Sequence, residues 1–219
     1  MTNGWTLAID TATGINVGLA KNGEAVASAR EESTRKHVEL TQQLVNQTLD
    51  QAGIEFKDLS QVAVGVGPGP FTGLRVGIVT GTTIASMLKI PVRGVCTLDA
   101  ISLGVEGAQD RFVVVTDARR KEIYWASYDR QGKRDGEPQV SIPEEVEQVP
   151  VYGPGVSVYP TIFNCGKDLQ LDAGLLAARL ELLPDVGLSP IYLRKPDAKL
   201  PATRKSTLGH RRITLPEIK

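Results

Sequence analysis

Short apolar runs separated by turn residues, followed by a helical period, make up the N-terminal part of the chain. Runs at residues 5–10 and 15–20 predict two strands that form a hairpin around the TATG turn. Asn22 and Gly23 predict a second tight turn, into a strand at 25–30, because both residues tolerate positive φ. A helix is expected over residues 34–52, ended by Gly53.

The rest of the chain repeats this alternation of strands and helices, with a restart at Arg111. The expected elements before the restart are a buried strand at 62–66, helices at 72–88 and 98–105, and a strand at 92–95. Those after it are a buried strand at 112–117, a strand typical of a sheet edge at 122–129, a loop-rich stretch at 138–160 and a last helix at 171–183. This order predicts an α/β chain with mixed sheets, and the restart predicts two related lobes with a boundary at 106–110.

A glycine-rich turn stands between the predicted strand at 62–66 and the helix after it. Backbone N–H groups of such a turn and a helix N-terminus favour an anion. The candidates for a phosphate-binding turn are Asp10, Thr11, Gly67 and Gly69. However, the turn lacks the Lys-Ser or Lys-Thr pair of a Walker loop, and Ala12 stands where a phosphate would favour glycine. The alternative, that the glycines permit a sharp turn and close packing, is therefore favoured.

The predicted helix at 72–88 carries small residues at a spacing of four, and no charged residue lies between Arg75 and Lys89. The small residues share one side and permit close approach of another element. A helix that only covers a sheet has a polar outer face, so the absence of charge predicts burial on two sides.

The predicted helix at 34–52 carries apolar residues on two sides. Those expected to face the core are Val38, Val45, Leu49 and Ala52. Leu40 and Leu44 lie outside that arc, where solvent-facing residues are expected. Scattered exposed leucines are common, but beside an uncharged second helix they favour a face that docks on another protein chain. The residues expected in this interface are Leu40, Leu44, Gln47, Gly73, Gly77, Gly81 and Ala85.

No catalytic or metal-binding constellation is recognisable in the sequence. His37 and His210 are the two histidines, and neither lies in an HxxxH or HExxH pattern. Cys96 and Cys165 are far apart without CxxC spacing, so inert thiols in a reducing compartment are expected. Catalytic residues and metal ligands are therefore not predicted.

Composition is typical of a globular protein, since 41% of the 219 residues are hydrophobic and 25 basic residues balance 25 acidic ones. No export signal and no continuous apolar segment of membrane-spanning length are recognised, so a cytoplasmic protein without membrane association is expected. From Pro190 to Lys219, eight basic residues oppose two acidic ones. We expect a basic tail over 194–219, either solvated or acting as an arm that contacts a polyanion.

Three segments together resemble the TsaB (YeaZ) family: LAIDTAT at 7–13, GPGPFTGLRVG at 67–77 and DARRKEIYWA at 117–126. Tyr192-Leu193-Arg194 also fits that family. The resemblance implies an actin/Hsp70-like (ASKHA) α/β fold of two lobes with mixed sheets flanked by helices. It implies a complete N-terminal lobe at 1–108 and a reduced C-terminal lobe at 109–193, followed by the basic tail.

The resemblance further implies a non-catalytic scaffold subunit in threonylcarbamoyl modification of the adenosine next to the tRNA anticodon. Its expected partners are a TsaD-type transferase, bound through the first two helices, and a TsaE-type P-loop ATPase, with a homodimer when the chain is alone. ATP or ADP and metal are expected on the partner subunits rather than on this chain, and tRNA is expected to be reached through the complex. Of the pair of metal histidines in TsaD-type proteins, His37 alone has a counterpart here.

Two other functions remain open at this stage: an independent actin-fold ATPase or sugar-kinase-like enzyme and, with less support, a peptidase. The sequence also leaves open whether nucleotide lodges at a subunit interface, whether the tail contacts tRNA, the stoichiometry of the complex and the role of His37.

Overall fold

The computed structural model describes residues 4–32, 37–147 and 149–194, and in these a mixed sheet forms the centre of the first lobe. Its strands are β1 (Trp5–Asp10), β2 (Ile15–Lys21), β3 (Glu24–Glu31), β4 (Leu59–Gly65) and β5 (Val92–Val95). They lie in the order β3-β2-β1-β4-β5. β1 pairs antiparallel with β2 and parallel with β4, so the predicted hairpin and mixed sheet are both confirmed.

Helices cover both faces of this sheet. α1 (His37–Ala52) and α2 (Phe71–Leu88) pack on one face, and the short α3 (Thr97–Ser102) lies on the other. Side chains alternate along β1, so Leu7 and Ile9 join the cluster under α1 and α2, while Ala8 joins the cluster that contains Leu98 of α3. The start predicted for the first helix, at residue 34, lies outside the described residues.

The second lobe is built on a four-stranded sheet. Its strands are β6 (Phe112–Arg119), β7 (Glu122–Tyr128), β8 (Arg134–Ser141) and β9 (Val151–Tyr152), in the order β8-β7-β6-β9. The one-turn helix α4 (Gly155–Val158) packs on β6 and β9. Val113 and Val115 of β6 face a cluster within this lobe, while Phe112 and Val114 face the cluster shared with the first lobe.

Two predictions for the second lobe are wrong. β7 was expected at a sheet edge but lies inside the sheet, because β8 pairs along its other side. β8 falls partly within the stretch predicted to be loop-rich, where Pro138 disfavours a strand. The structure accommodates Pro138 because β8 is itself the edge strand and its pairing is irregular there, next to Gly136 with φ 78°.

The chain then returns to the first lobe. α5 (Ala173–Ala178) packs on β1, β2 and β3, although sequence reasoning assigned residues up to 193 to the second lobe. Its approach is close, because a Cβ on Gly18 would lie 2.1 Å from the backbone of Ala173. The boundary at 106–110 does fall between α3 and β6, but the closing segment belongs with the first sheet. The last helix is also shorter than predicted, since a 3₁₀ turn at Leu180–Leu182 follows α5.

α2 is long and apolar enough, with a mean hydropathy of 1.2 over its 18 residues, to meet the length and composition criterion for crossing a membrane. It also packs one side on β1 and β4 of the first sheet. Core helices of globular domains meet the same criterion, so the criterion alone assigns α2 no place in a membrane.

Candidate functional site

The predicted phosphate turn begins with Asp10, whose carboxylate is fully buried and bonded within the chain. Oδ1 accepts a hydrogen bond from the Ala12 N–H at 2.8 Å, and Oδ2 accepts one from the Thr97 hydroxyl at 2.6 Å. Burial raises the pKa of Asp10, and these two hydrogen bonds partly offset that rise. Asp10 therefore joins the end of β1 to the start of α3, and both of its oxygens already have partners.

Thr11 is likewise bonded inside the protein. Its hydroxyl donates to the Gly73 carbonyl at 2.7 Å and accepts from the Gly77 N–H at 3.1 Å. Only 1% of Thr11 is exposed. One side chain thus fastens the turn after β1 to the first two turns of α2.

Gly67 and Gly69 are buried in a turn that packs closely against other parts of the chain. The Gly67 carbonyl accepts from the Thr97 N–H at 2.8 Å. A Cβ on Gly69 would lie 2.8 Å from the Cβ of Ala12, which leaves no space for a larger residue. These contacts support the close-packing interpretation of the glycines, and the phosphate turn stays a prediction.

The small-residue side of α2 faces the protein's own sheet. A Cβ on Gly77 would lie 2.4 Å from the Thr11 hydroxyl oxygen, and one on Gly81 would lie 2.2 Å from Cγ1 of Val64. Gly73 and Ala85 are buried on the same side. The expectation that Gly73, Gly77, Gly81 and Ala85 form a partner interface is therefore corrected, since these residues let α2 sit close to β1 and β4.

The expectation for α1 also changes. Leu44 is 8% exposed and belongs to the core cluster, whereas it was predicted to face solvent. Leu40 is half-buried against the same cluster, and Gln47 is exposed as expected. The helix places Thr41 and Thr48 in the core as well, which widens the buried arc beyond the predicted one and takes in Leu44. The side chains of His37 and Val38 lie outside the described residues.

The exposed side of α2 is the uncharged surface that the sequence pointed to. Val79 is 61% exposed and Met87 is 78% exposed, and Thr83 between them is exposed too. Their spacing of four residues places them on one stripe of the helix. We call Val79, Thr83, Ser86 and Met87 the α2 outer face. The sequence indicated an uncharged helix here, and the tertiary structure shows that its outer face differs from its small-residue side.

A cleft of about 720 Å³ separates the two lobes. From the first lobe it is lined by residues that include Thr13, Arg30 and Phe71, and from the second by residues that include Asp117 and Arg119. The hydroxyl oxygen of Thr13 is buried and has no hydrogen-bond partner among the described residues. Among residues 4–32, 37–147 and 149–194, no group of three or more His, Cys, Asp or Glu side chains could hold a metal ion.

The family motif at 192–194 acquires a structural role that the sequence did not reveal. The ring of Tyr192 stacks on Phe71 at the start of α2, with 5.0 Å between ring centroids. Arg194 donates to the Ala118 carbonyl at 2.8 Å and pairs with Glu122 at 3.1 Å, both in the second lobe. This segment therefore ties the two lobes together across the cleft.

Comparison with known proteins agrees with this fold. Residues 25–162, more than half of the chain, match the family described as "TsaD: tRNA N6-adenosine threonylcarbamoyltransferase". The TsaB protein of Escherichia coli (strain K12), a "tRNA threonylcarbamoyladenosine biosynthesis protein", is 36% identical over 127 residues, covering 57% of this chain and 54% of that protein. The solved structure of YeaZ from Pseudomonas aeruginosa superposes with a TM-score of 0.70 at 28% identity, covering 87% of this chain and 100% of that one. The chain belongs to the TsaB (YeaZ) family.

The two-lobe fold expected for a TsaB protein is thereby confirmed. An uncharacterised protein of Mycobacterium leprae (strain TN) is 41% identical over 207 residues, covering 88% of this chain and 55% of that protein. The match thus spans about half the length of this relative and of the TsaB protein from E. coli.

Proposed function

We propose that this chain is a scaffold subunit that docks through the α2 outer face onto a TsaD-type transferase. Membership of the TsaB family supports a role in tRNA threonylcarbamoyladenosine biosynthesis, the process named for its relatives. The observation that carries the docking proposal is the α2 outer face, an exposed and uncharged stripe on a helix whose opposite side is already packed on the sheet.

The exposure of the α2 outer face favours a protein partner. Burying an exposed Val or Met side chain contributes about 1.5–3 kcal/mol. From Val76 to Leu88 the helix has no charged residue, so docking there would desolvate no side-chain charge of α2. Val79 and Met87 are the apolar members of this stripe, and contiguous exposed apolar surface commonly marks interaction sites. A self-complementary use of the same stripe would produce a homodimer when the transferase is absent.

The side chains of Asp10 and Thr11 form their hydrogen bonds within the chain, where they stabilise the fold. This structural role supports a subunit that acts by docking. In this proposal the transfer chemistry, with its metal and its ATP or ADP, takes place on the partner subunits. A TsaE-type ATPase joins the pair, and tRNA meets the assembled complex. The cytoplasm, where tRNA is modified, is the proposed location.

The test is Val79→Glu on the α2 outer face. Val26→Glu is the matched control, because Val26 of β3 is also exposed, at 48%. Light scattering of each variant mixed with the purified transferase measures the complex. Val79→Glu is expected to weaken pairing by about tenfold or more, since docking would desolvate the new carboxylate. If Val79→Glu and Val26→Glu pair equally well with the transferase, the α2 outer face is not the docking site.

The alternative is an independent ATPase or sugar-kinase-like enzyme, and the cleft between the lobes is the observation that favours it. Arg30 and Arg119 line the cleft and offer charge to phosphates. Calorimetry with ATP and Mg²⁺ on the chain alone distinguishes the two proposals. Binding that Arg119→Gln abolishes would favour the enzyme, whereas no binding would leave the scaffold proposal standing.

A further inference from the structure

Two exposed aromatic rings border one side of the cleft mouth. Phe71 is 42% exposed and Tyr192 is 39% exposed, and their rings are stacked. The guanidinium of Arg75 lies over the Phe71 ring at 3.8 Å, and its Nε donates to the Tyr192 hydroxyl at 3.2 Å. These contacts hold the two rings in a fixed orientation, while both residues remain partly exposed to solvent.

The end of β6 and the turn into β7 border the other side, with three consecutive exposed cations: Arg119, Arg120 and Lys121. All three have positive φ, at 63°, 55° and 64°. Non-glycine residues rarely adopt this conformation, and a run of them is found mainly where surrounding structure enforces it, often at functional sites. The turn therefore presents three cationic side chains at a place where the backbone is conformationally costly.

Tyr192 and Arg194 join these two sides into one surface. Tyr192 stacks on the α2 side, and two residues later Arg194 bonds to Ala118 and Glu122, which flank the cationic turn. Phe71 and Arg119 line the same cleft. We define the cleft-mouth surface as Phe71, Arg75, Arg119, Lys121, Tyr192 and Arg194.

Two of the four cations of this surface are paired with carboxylates. Asp117 pairs with Arg119 at 3.2 Å, and Glu122 pairs with Arg194 at 3.1 Å. Arg75 and Lys121 add further positive charge to the surface. Beyond Arg194 the sequence continues with seven more basic residues and two acidic ones.

We propose that the cleft-mouth surface binds a single-stranded segment of RNA. Exposed aromatic rings stack on unpaired bases of any identity, and guanidinium groups contact phosphates. The chain carries no net charge, so the attraction is local to this surface and to the sequence that follows it, and it is sensitive to salt. This inference deepens the proposed function, on which its biological setting rests, but the binding is a property of the chain alone.

The test uses the full chain without any partner. Fluorescence anisotropy compares a labelled oligoribonucleotide of about ten nucleotides with the same strand annealed to its complement. The double variant Arg119→Gln with Lys121→Gln removes two cations from the surface. Its matched control is Arg130→Gln with Lys133→Gln, two exposed cations of the β7–β8 turn that lie outside the surface. Phe71→Leu removes a ring while keeping an apolar residue at the start of α2.

We expect the single strand to bind more tightly than the duplex. The cleft-mouth double variant should weaken binding and lower the slope of log K against log salt by about 0.7 for each lost phosphate contact. Phe71→Leu should weaken single-strand binding about tenfold and leave the duplex nearly unaffected. The control pair should match the unmodified chain.

Equal affinity for the two RNA forms, no binding at about 50 mM salt, or equal weakening by the control pair would each overturn the proposal. Pairing with the transferase is measured separately, by light scattering. Loss of RNA binding with intact pairing, or the reverse, therefore shows which of the two proposals has failed.

Discussion

Gly65 and Asp10 lie so close together on neighbouring strands that no side chain fits at position 65: a Cβ there would lie 1.7 Å from Oδ2 of Asp10. The same carboxylate is bonded to Ala12 and Thr97. The end of β1 can therefore lie beside the end of β4, with Asp10 in this position, only if residue 65 is glycine.

Gly65→Ala is expected to destabilise the fold by about 2–4 kcal/mol, because either the buried carboxylate or the strand must move. Gly104→Ala is the control. A Cβ there would lie 3.3 Å from the end of the flexible Leu169 side chain, so a change below about 1 kcal/mol is expected. Urea unfolding followed by circular dichroism measures both. Equal midpoints for the two variants would contradict the packing described for Asp10.

Asp10 also gives the fold a pH dependence of predictable sign. Burial raises its pKa in the folded protein above the ordinary value of 3.8, so the folded state holds this proton more tightly than the unfolded state does. The contribution of this group to stability is therefore greatest at low pH and decreases as pH rises from about 3.8 through the folded pKa.

Asp10→Asn has no such proton to release. The stability of the unmodified chain relative to Asp10→Asn should fall as pH rises from about 4 to about 7, and the Thr97 hydroxyl can reverse its hydrogen bond to accept from the amide. Thermal unfolding of both proteins across this range gives the difference. A difference that grows in the opposite direction would show that the Thr97 and Ala12 hydrogen bonds outweigh burial.

Substitutions on the two sides of α2 should affect stability to different extents. Gly81→Ala is expected to cost about 1–3 kcal/mol, since its Cβ would overlap Val64. Val79→Ala, on the α2 outer face, should change stability by less than about 0.5 kcal/mol. Chemical denaturation of the isolated chain tests this pair without any partner. If Gly81→Ala is as stable as the unmodified chain, α2 does not pack on the sheet as described.

A buried polar cluster between the lobes should be sensitive to the loss of one hydroxyl. The Tyr128 hydroxyl donates to Oδ1 of Asp99 at 2.8 Å, and Arg134 lies 3.7 Å from the same oxygen. Burial raises the pKa of Tyr128, which keeps the hydroxyl protonated as a donor. Tyr128→Phe should cost about 1–3 kcal/mol by leaving the buried carboxyl with fewer partners.

Asp99→Asn tests the same contact from the other side. The amide oxygen still accepts from Tyr128, but the Arg134 side chain, which is 16% exposed, loses its charge partner, so a loss similar to that for Tyr128→Phe is expected. Denaturation midpoints of the unmodified chain, the two single variants and the double variant form a double-mutant cycle. Strict additivity in that cycle would show that Tyr128 and Asp99 do not interact.

Local sequence signals predicted most of the elements but not all of their partners. The turn at Asn22-Gly23, the apolar run that became β6 and the uncharged length of α2 are all local, and each element was predicted. β8 was missed because its fit depends on being an edge strand, which is a property of the sheet and not of residues 134–141.

The candidate site shows the same division. Periodicity found the small-residue stripe of α2, but a stripe of small residues indicates close packing without indicating what is packed. Gly81 meets Val64, and Gly77 meets Thr11, and these neighbours are distant in sequence. Leu44 was misplaced for a related reason, because the arc buried on α1 depends on both the sheet and α2.

The sequence alone determined most of the strand and helix pattern, the two-lobe α/β organisation and the three segments that resemble the TsaB family. Backbone preference, side-chain periodicity and motif spacing depend on neighbouring residues. Only the tertiary structure decided which side of α2 is free, where α5 returns, and that Phe71, Arg119 and Arg194 meet around one cleft. These outcomes depend on contacts between residues far apart in the chain, such as the hydrogen bond from Arg194 to Ala118. The energies of such contacts cannot be derived from the pattern of neighbouring residues.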